Sequence, residues 1–124
     1  MNYSLFQASD VYQLKDIITE EDSASLSPLA NYCLQADQTE INTWESEKRY
    51  SPLFMSQINC IRKASFLDDK SKVQLMGASI YNECLIKMSS LKFSALKTHD
   101  PLGSDFPHDL QRRVKDKFYP VQKG

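Results

Sequence analysis

Two histidines each precede an aspartate, His99-Asp100 and His108-Asp109. Imidazole beside carboxylate is the pairing that general acid–base chemistry uses. Adjacent side chains do not face one another along a helix or loop, however, so both pairs read as exposed or helix-capping features, with His108 in a first helical turn. The acidic clusters Glu20-Glu21-Asp22 and Asp68-Asp69 offer oxygens to a cation. Both stand where a helix should begin, and there negative charge serves the positive end of the helix dipole. Cys33, Cys60 and Cys84 are odd in number and widely spaced among apolar neighbours. That spacing suits neither a zinc site nor a disulfide framework, and they read as buried thiols in a reducing compartment. The sequence carries no glycine-rich phosphate loop, Gly-x-Ser-x-Gly elbow, His-Glu-x-x-His helix or Cys-x-x-Cys pair. No catalytic residue, metal or cofactor is expected, and the chain reads as a non-enzyme.

Charge gives the other chemical signal. The net charge is −1, which opposes strong binding of the whole chain to a polyanion. Residues 1–85 hold seven Lys and Arg against twelve Asp and Glu, whereas residues 86–124 hold eight against four. The front is acidic and the tail basic. Lys92, Lys97, Arg112, Arg113, Lys115, Lys117 and Lys123 can line one surface if the last helix lies beside the end of the one before it, and such a surface suits backbone phosphates. The same residues also fit a solvated face that keeps the protein soluble.

The elements that must position these residues look helical. Glycine is scarce, with Gly77, Gly103 and Gly124 alone, and prolines fall mainly at helix starts. Thr19 with Asp22 starts one short helix, and Ser27-Pro28 starts a second bearing Leu29, Tyr32, Cys33 and Ala36. Thr39 and Asn42 open a third with Ile41 and Trp44 on one side. Ser51-Pro52 precedes a helix whose apolar face is Leu53, Phe54, Ile58, Ile61 and Ala64. Val73, Met76, Ile80, Cys84, Leu85, Met88, Leu91 and Ala95 then form one stripe at three- and four-residue steps, a long central helix in which Gly77 marks a close crossing. Asp100-Pro101 and Gly103 interrupt it with a loop, and Pro107 opens a final helix with Leu110, Val114 and Phe118, closed by Pro120.

A length of 124 residues suits one core-bearing domain: a tether over residues 1–10, a helical domain over 11–119 and a tail over 120–124. The longest apolar run is far short of the roughly 20 residues that cross a bilayer, and residues 1–10 lack the pattern of a secretory signal, so no membrane partner is expected.

Several segments, in order, resemble the C-terminal region of the forty-nine-kilodalton, polymerase-associated-factor subunit of RNA polymerase I. These are the opening Val11-Tyr12-Gln13-Leu14-Lys15-Asp16-Ile17-Ile18, the Cys60-Ile61-Arg62-Lys63-Ala64 helix end, the long helix through Val73, Leu75, Met76, Ile80 and Leu85, the connection at residues 97–103, and the closing segment from Phe106-Pro107-His108 to Phe118. The resemblance spans nearly the whole chain, through aliphatic positions, a tyrosine, a proline-started helix and a basic connector. It implies a mainly α, winged-helix-like (TFIIE-like) domain; with no obvious pair of alternating strands, little or no β wing is expected. It also implies a nuclear and nucleolar, non-catalytic role in rRNA initiation and elongation. Partners would be RNA polymerase I subunits, including the smaller heterodimer partner, and DNA held weakly and without sequence preference through Lys92, Lys97, Arg112, Arg113, Lys115 and Lys117. The chain leaves no room for that subunit's dimerisation domain or a second winged helix, as expected of a piece of a longer protein. The alternative is a helical protein–protein interaction module without nucleic-acid binding, working through its acidic front or exposed apolar surface.

Overall fold

The computed structural model describes residues 18–118, with side chains to residue 116. The tether, residues 11–17 of the opening motif, the side chains of Lys117 and Phe118, and Pro120 and Lys123 lie outside the described residues. The described chain is mainly helical, and no strand occurs among the described residues.

Thr19 caps the first helix, α1 (Glu20–Gln35), accepting a hydrogen bond from the Asp22 backbone N–H at 3.0 Å. Glu20, Glu21 and Asp22 occupy its positive end. The helix runs on through Ser27-Pro28, where the sequence predicts a new start. Pro28 is exposed, so water can serve the carbonyl that loses its N–H partner, and Ser27 Oγ donates back to the Ser23 carbonyl at 3.1 Å. The buried stripe is therefore Asp22, Leu26, Ala30 and Cys33, while Tyr32 is exposed.

The second helix, α2 (Gln38–Ser46), is capped by Asp37, which accepts from Glu40 N–H at 2.8 Å, rather than by Thr39. It buries Ile41 and Trp44 as expected. Lys48 follows it at φ 55°, and Arg49 N–H returns to the Trp44 carbonyl at 3.0 Å, a helix stop more often made by glycine. The third helix, α3 (Pro52–Lys63), starts at Ser51-Pro52 as the sequence predicts, with Ser51 Oγ accepting from Phe54 N–H at 3.2 Å. Phe54, Met55, Gln57, Ile58 and Ile61 are buried, and Leu53 is exposed. α3 packs on α1. Tyr32, Trp44, Tyr50 and Phe54 form a chain of ring contacts with centroids 5.8, 5.7 and 4.9 Å apart. Tilted and edge contacts of this kind favour aromatic pairs beyond the area they bury.

Asp68 caps the fourth helix, α4 (Asp69–Ser89), accepting from Ser71 N–H at 2.8 Å. That backbone hydrogen bond, helped by the Ser71 hydroxyl and the charge of Lys70, holds its carboxyl below the usual range. Every residue from Leu75 to Tyr81 is buried, as befits a helix enclosed on all sides. Glu83, 1% exposed, accepts from Ser51 N–H at 2.7 Å and from Ser51 Oγ at 2.6 Å. α4 stops before Leu91 and Ala95, which the apolar stripe places on it. Ser89 Oγ and Ser90 Oγ donate to the carbonyls of Ile86 and Lys87 at 2.8 and 2.9 Å, offering the backbone an alternative to helix. A short helix, α5 (Phe93–Leu96), a 3-10 turn (Gly103–Asp105) and α6 (His108–Phe118) follow.

The chain divides into two compact units, one up to Glu83 and one from Cys84 onward. The core of the first holds Leu26, Ile41, Trp44, Phe54, Ile58, Met76 and Tyr81 among others; that of the second holds Cys84, Met88, Leu96, Phe106, Leu110 and Val114.

In the first unit, a Cβ added at Gly77 would meet Leu26 Cβ at 3.8 Å, which is ordinary contact. The crossing is close, yet a methyl fits. Gly77→Ala should raise stability by about 1 kcal/mol, the helix-propensity difference, while Gly77→Leu should lower it. Urea denaturation of both variants checks this, and destabilisation by alanine would refute the fit.

Candidate nucleic-acid interface

The second unit carries the residues expected to touch phosphate. Lys92 stands in extended conformation just before α5 and is exposed; its carbonyl, not its side chain, closes the helix. Phe93, next to it, is 59% exposed. One turn on, exposed Lys97 places Nζ 5.1 Å from the Phe93 ring centroid, a cation–π distance. Lys92 thus directly precedes an exposed aromatic ring, and Lys97 stands over that ring. In the sequence, the signal for this group is a phenylalanine with lysines one residue before and four after it.

The α6 cations are arranged differently. Leu110, Gln111 and Val114 are fully buried, which leaves exposed Arg112 on the solvent side and half-buried Arg113 and Lys115 on its flanks. At 100° per residue, Arg113 and Lys115 lie about 160° apart, so they fan around the helix and form no single stripe. Arg112 also pairs with Asp109 at 3.7 Å, both side chains being well exposed. That pair lowers the positive charge this face offers to a phosphate, and in water it adds little to stability. The Lys117 side chain lies outside the described residues.

Between α5 and α6, one side chain fixes the loop. Gln111, fully buried, donates from Nε2 to the carbonyls of Gly103 at 2.7 Å and Phe106 at 2.9 Å, and its Oε1 accepts from Leu102 N–H at 2.8 Å. Gly103 adopts φ 77°, a conformation that side chains resist. Beside this staple, His108 Nδ1 lies 2.6 Å from Asp100 Oδ1, and the His108 ring stacks on His99 with centroids 3.9 Å apart. The carboxylate that His108 meets is thus not that of its neighbour Asp109 but that of Asp100, eight residues earlier. The rings remain at the surface, and no hydroxyl or thiol among the described residues bonds to either. No three His, Cys, Asp or Glu among the described residues are placed to hold a metal ion. No described helix is long and apolar enough to cross a membrane.

The thiols are equally distinct. Burial pushes the Cys33 thiol up to about 12, against the opposing pull of the Arg62 charge. Cys84 is buried and Cys60 only partly so. Because the folded Cys33 value lies above the unfolded one, its contribution to stability is complete below the ordinary thiol range and lost as pH rises toward 12.

Two outcomes follow for these groups. Gln111→Ala strands three backbone groups at about 1 kcal/mol each, so a loss of about 3 kcal/mol is expected in chemical denaturation, together with faster hydrogen exchange at Leu102; an unchanged exchange rate would remove the staple. With a thiol reagent at pH 8, Cys60 should label first while Cys33 and Cys84 wait for unfolding, as peptide mass mapping would detect; early labelling of Cys33 contradicts its burial.

No protein-family model matches this chain, and neither a curated protein nor a solved structure matches it.

Proposed function

We propose that the chain is a non-catalytic domain of RNA polymerase I, similar to the polymerase-associated-factor subunit, acting in rRNA transcription initiation and elongation in the nucleolus. In this reading it is a winged-helix-like (TFIIE-like) domain with a minimal wing. It docks on polymerase subunits, including the smaller heterodimer partner, and contacts the DNA backbone weakly.

The ordered set of segments from Val11 to Phe118 supports the family. The observation that carries the DNA contact is the Lys92-Phe93-Lys97 group. It presents two exposed lysines, one directly before an exposed ring and one with its ammonium over that ring, on a unit whose residues 86–124 have four more cations than acids, eight against four. Lysine ammonium groups bind phosphate as point charges and read no bases, which fits sequence-independent contact. The Arg112–Asp109 pair and the fan of α6 cations favour a weak contact over a tight one.

A second reading, a helical protein-interaction module, draws on the exposed apolar residues of the first unit, Tyr32, Leu53 and, at 68% exposure, Phe66.

Fluorescence anisotropy with a labelled 20-base-pair duplex, across a salt series, separates the two. The DNA reading expects affinity to fall with salt, with a log–log slope losing about 0.9 for each phosphate contact removed by Lys92→Gln, Lys97→Gln or Arg112→Gln. Two duplexes of unrelated sequence should bind alike. Absence of binding at low salt, with a protein partner still recovered, would favour the interaction module.

A further inference from the structure

A groove of about 260 Å³ opens in the first unit where the end of α1 meets α3 and the start of α4. Arg62 and Lys72 line it, Leu34 and Val73 supply apolar wall, and Asp69 stands exposed at its edge. We propose that this groove binds the single carboxylate side chain of an otherwise uncharged peptide segment of a partner protein.

The orientation of Arg62 carries the inference. Its Nη1 donates to the carbonyls of Cys33 and Leu34, each at 2.9 Å, at the C-terminal end of α1. Those two bonds spend both Nη1 hydrogens and fix the plane of the guanidinium. The Nε–Nη2 edge has no acceptor among the described residues. That edge presents two parallel N–H donors, the fork that matches a carboxylate in bidentate fashion. Lys72 Nζ donates to the Arg62 carbonyl at 3.3 Å, which brings a second cation to the groove with donors to spare.

Charge selects the occupant. Arg62 and Lys72 against Asp69 leave the groove one positive charge in excess, enough for a monoanion, and Asp69 repels a second negative charge. A phosphate dianion is therefore disfavoured, and a nucleic acid still more, because residues 1–85 hold twelve acids against seven cations. Leu34 and Val73 suit the methylenes of a glutamate, and the amides of Asn31 and Gln35 on the α1 side suit a peptide backbone. The groove lies within the first unit, and the assignment does not rest on the DNA contact proposed for the second.

The full chain, labelled with 15N, reports on this directly through the Arg62 Nε–H resonance. The probes are acetyl-Leu-Glu-Leu-amide, its glutamine counterpart and its phosphoserine counterpart. The glutamate peptide should move the Arg62 signal saturably at millimolar concentration, and the glutamine peptide should leave it in place. Lys72→Gln should weaken the glutamate peptide roughly tenfold, the loss of a charge-assisted contact. Arg62→Lys, which keeps the charge and removes the fork, should weaken it at least as much. Backbone amide spectra verify the fold of both variants, and if Arg62→Lys perturbs α1, Lys72→Gln carries the test alone. An Arg62 signal unmoved by the glutamate peptide, equal shifts with the glutamine peptide, tighter binding of phosphoserine, or no effect of Lys72→Gln would each overturn the assignment.

Discussion

The first unit depends on a carboxylate placed out of water. Glu83 reaches from α4 to the exact point where α3 begins, accepting from both the backbone and the hydroxyl of Ser51, and Ser51 in turn receives Phe54 N–H. Burying a carboxylate costs several kcal/mol, and here short charge-assisted bonds and the positive end of α3 offset that cost. With its start held by α4, α3 presents Phe54, Ile58 and Ile61 to the core and carries Arg62 to the end of α1. Both ends of the α3 contact network are thus polar, and the apolar packing lies between them.

Local signals in the sequence proved readable where one residue decides the outcome. Thr19 and Ser51-Pro52 start helices because a hydroxyl accepting an orphan N–H, or a proline fixing φ, acts within one turn. Ser27-Pro28 shows the same signal failing: α1 was already propagating, and an exposed proline does not stop a helix whose far face is buried. The stripe continues through Leu91 and Ala95 although the helix does not, since periodicity records apolar positions but not the Ser89 and Ser90 hydroxyls that compete for the carbonyls of the last turn, where the backbone tightens to Ser90–Lys87 and Leu91–Met88 bonds.

The chemistry was legible as charge and hidden as geometry. Lys92, Lys97 and Arg112 are exposed, as the basic tail suggests, but the division of α6 cations around the helix axis and the Arg112–Asp109 pair appear only in coordinates. Gln111 resembles any surface glutamine in the sequence, and its three loop bonds depend on partners five to nine residues away. Arg62 is more remote still, bonded to carbonyls 28 and 29 positions earlier. No spacing rule connects a guanidinium to the end of another helix at that separation.

The ring chain from Tyr32 to Phe54 has a spectroscopic corollary. Trp44, at its middle, is the sole tryptophan, and it belongs to the unit that ends at Glu83. Indole emission therefore follows one half of the molecule, whereas the far-ultraviolet helical signal follows both. A mismatch between the two melting profiles measures directly whether the halves lose structure together or in sequence.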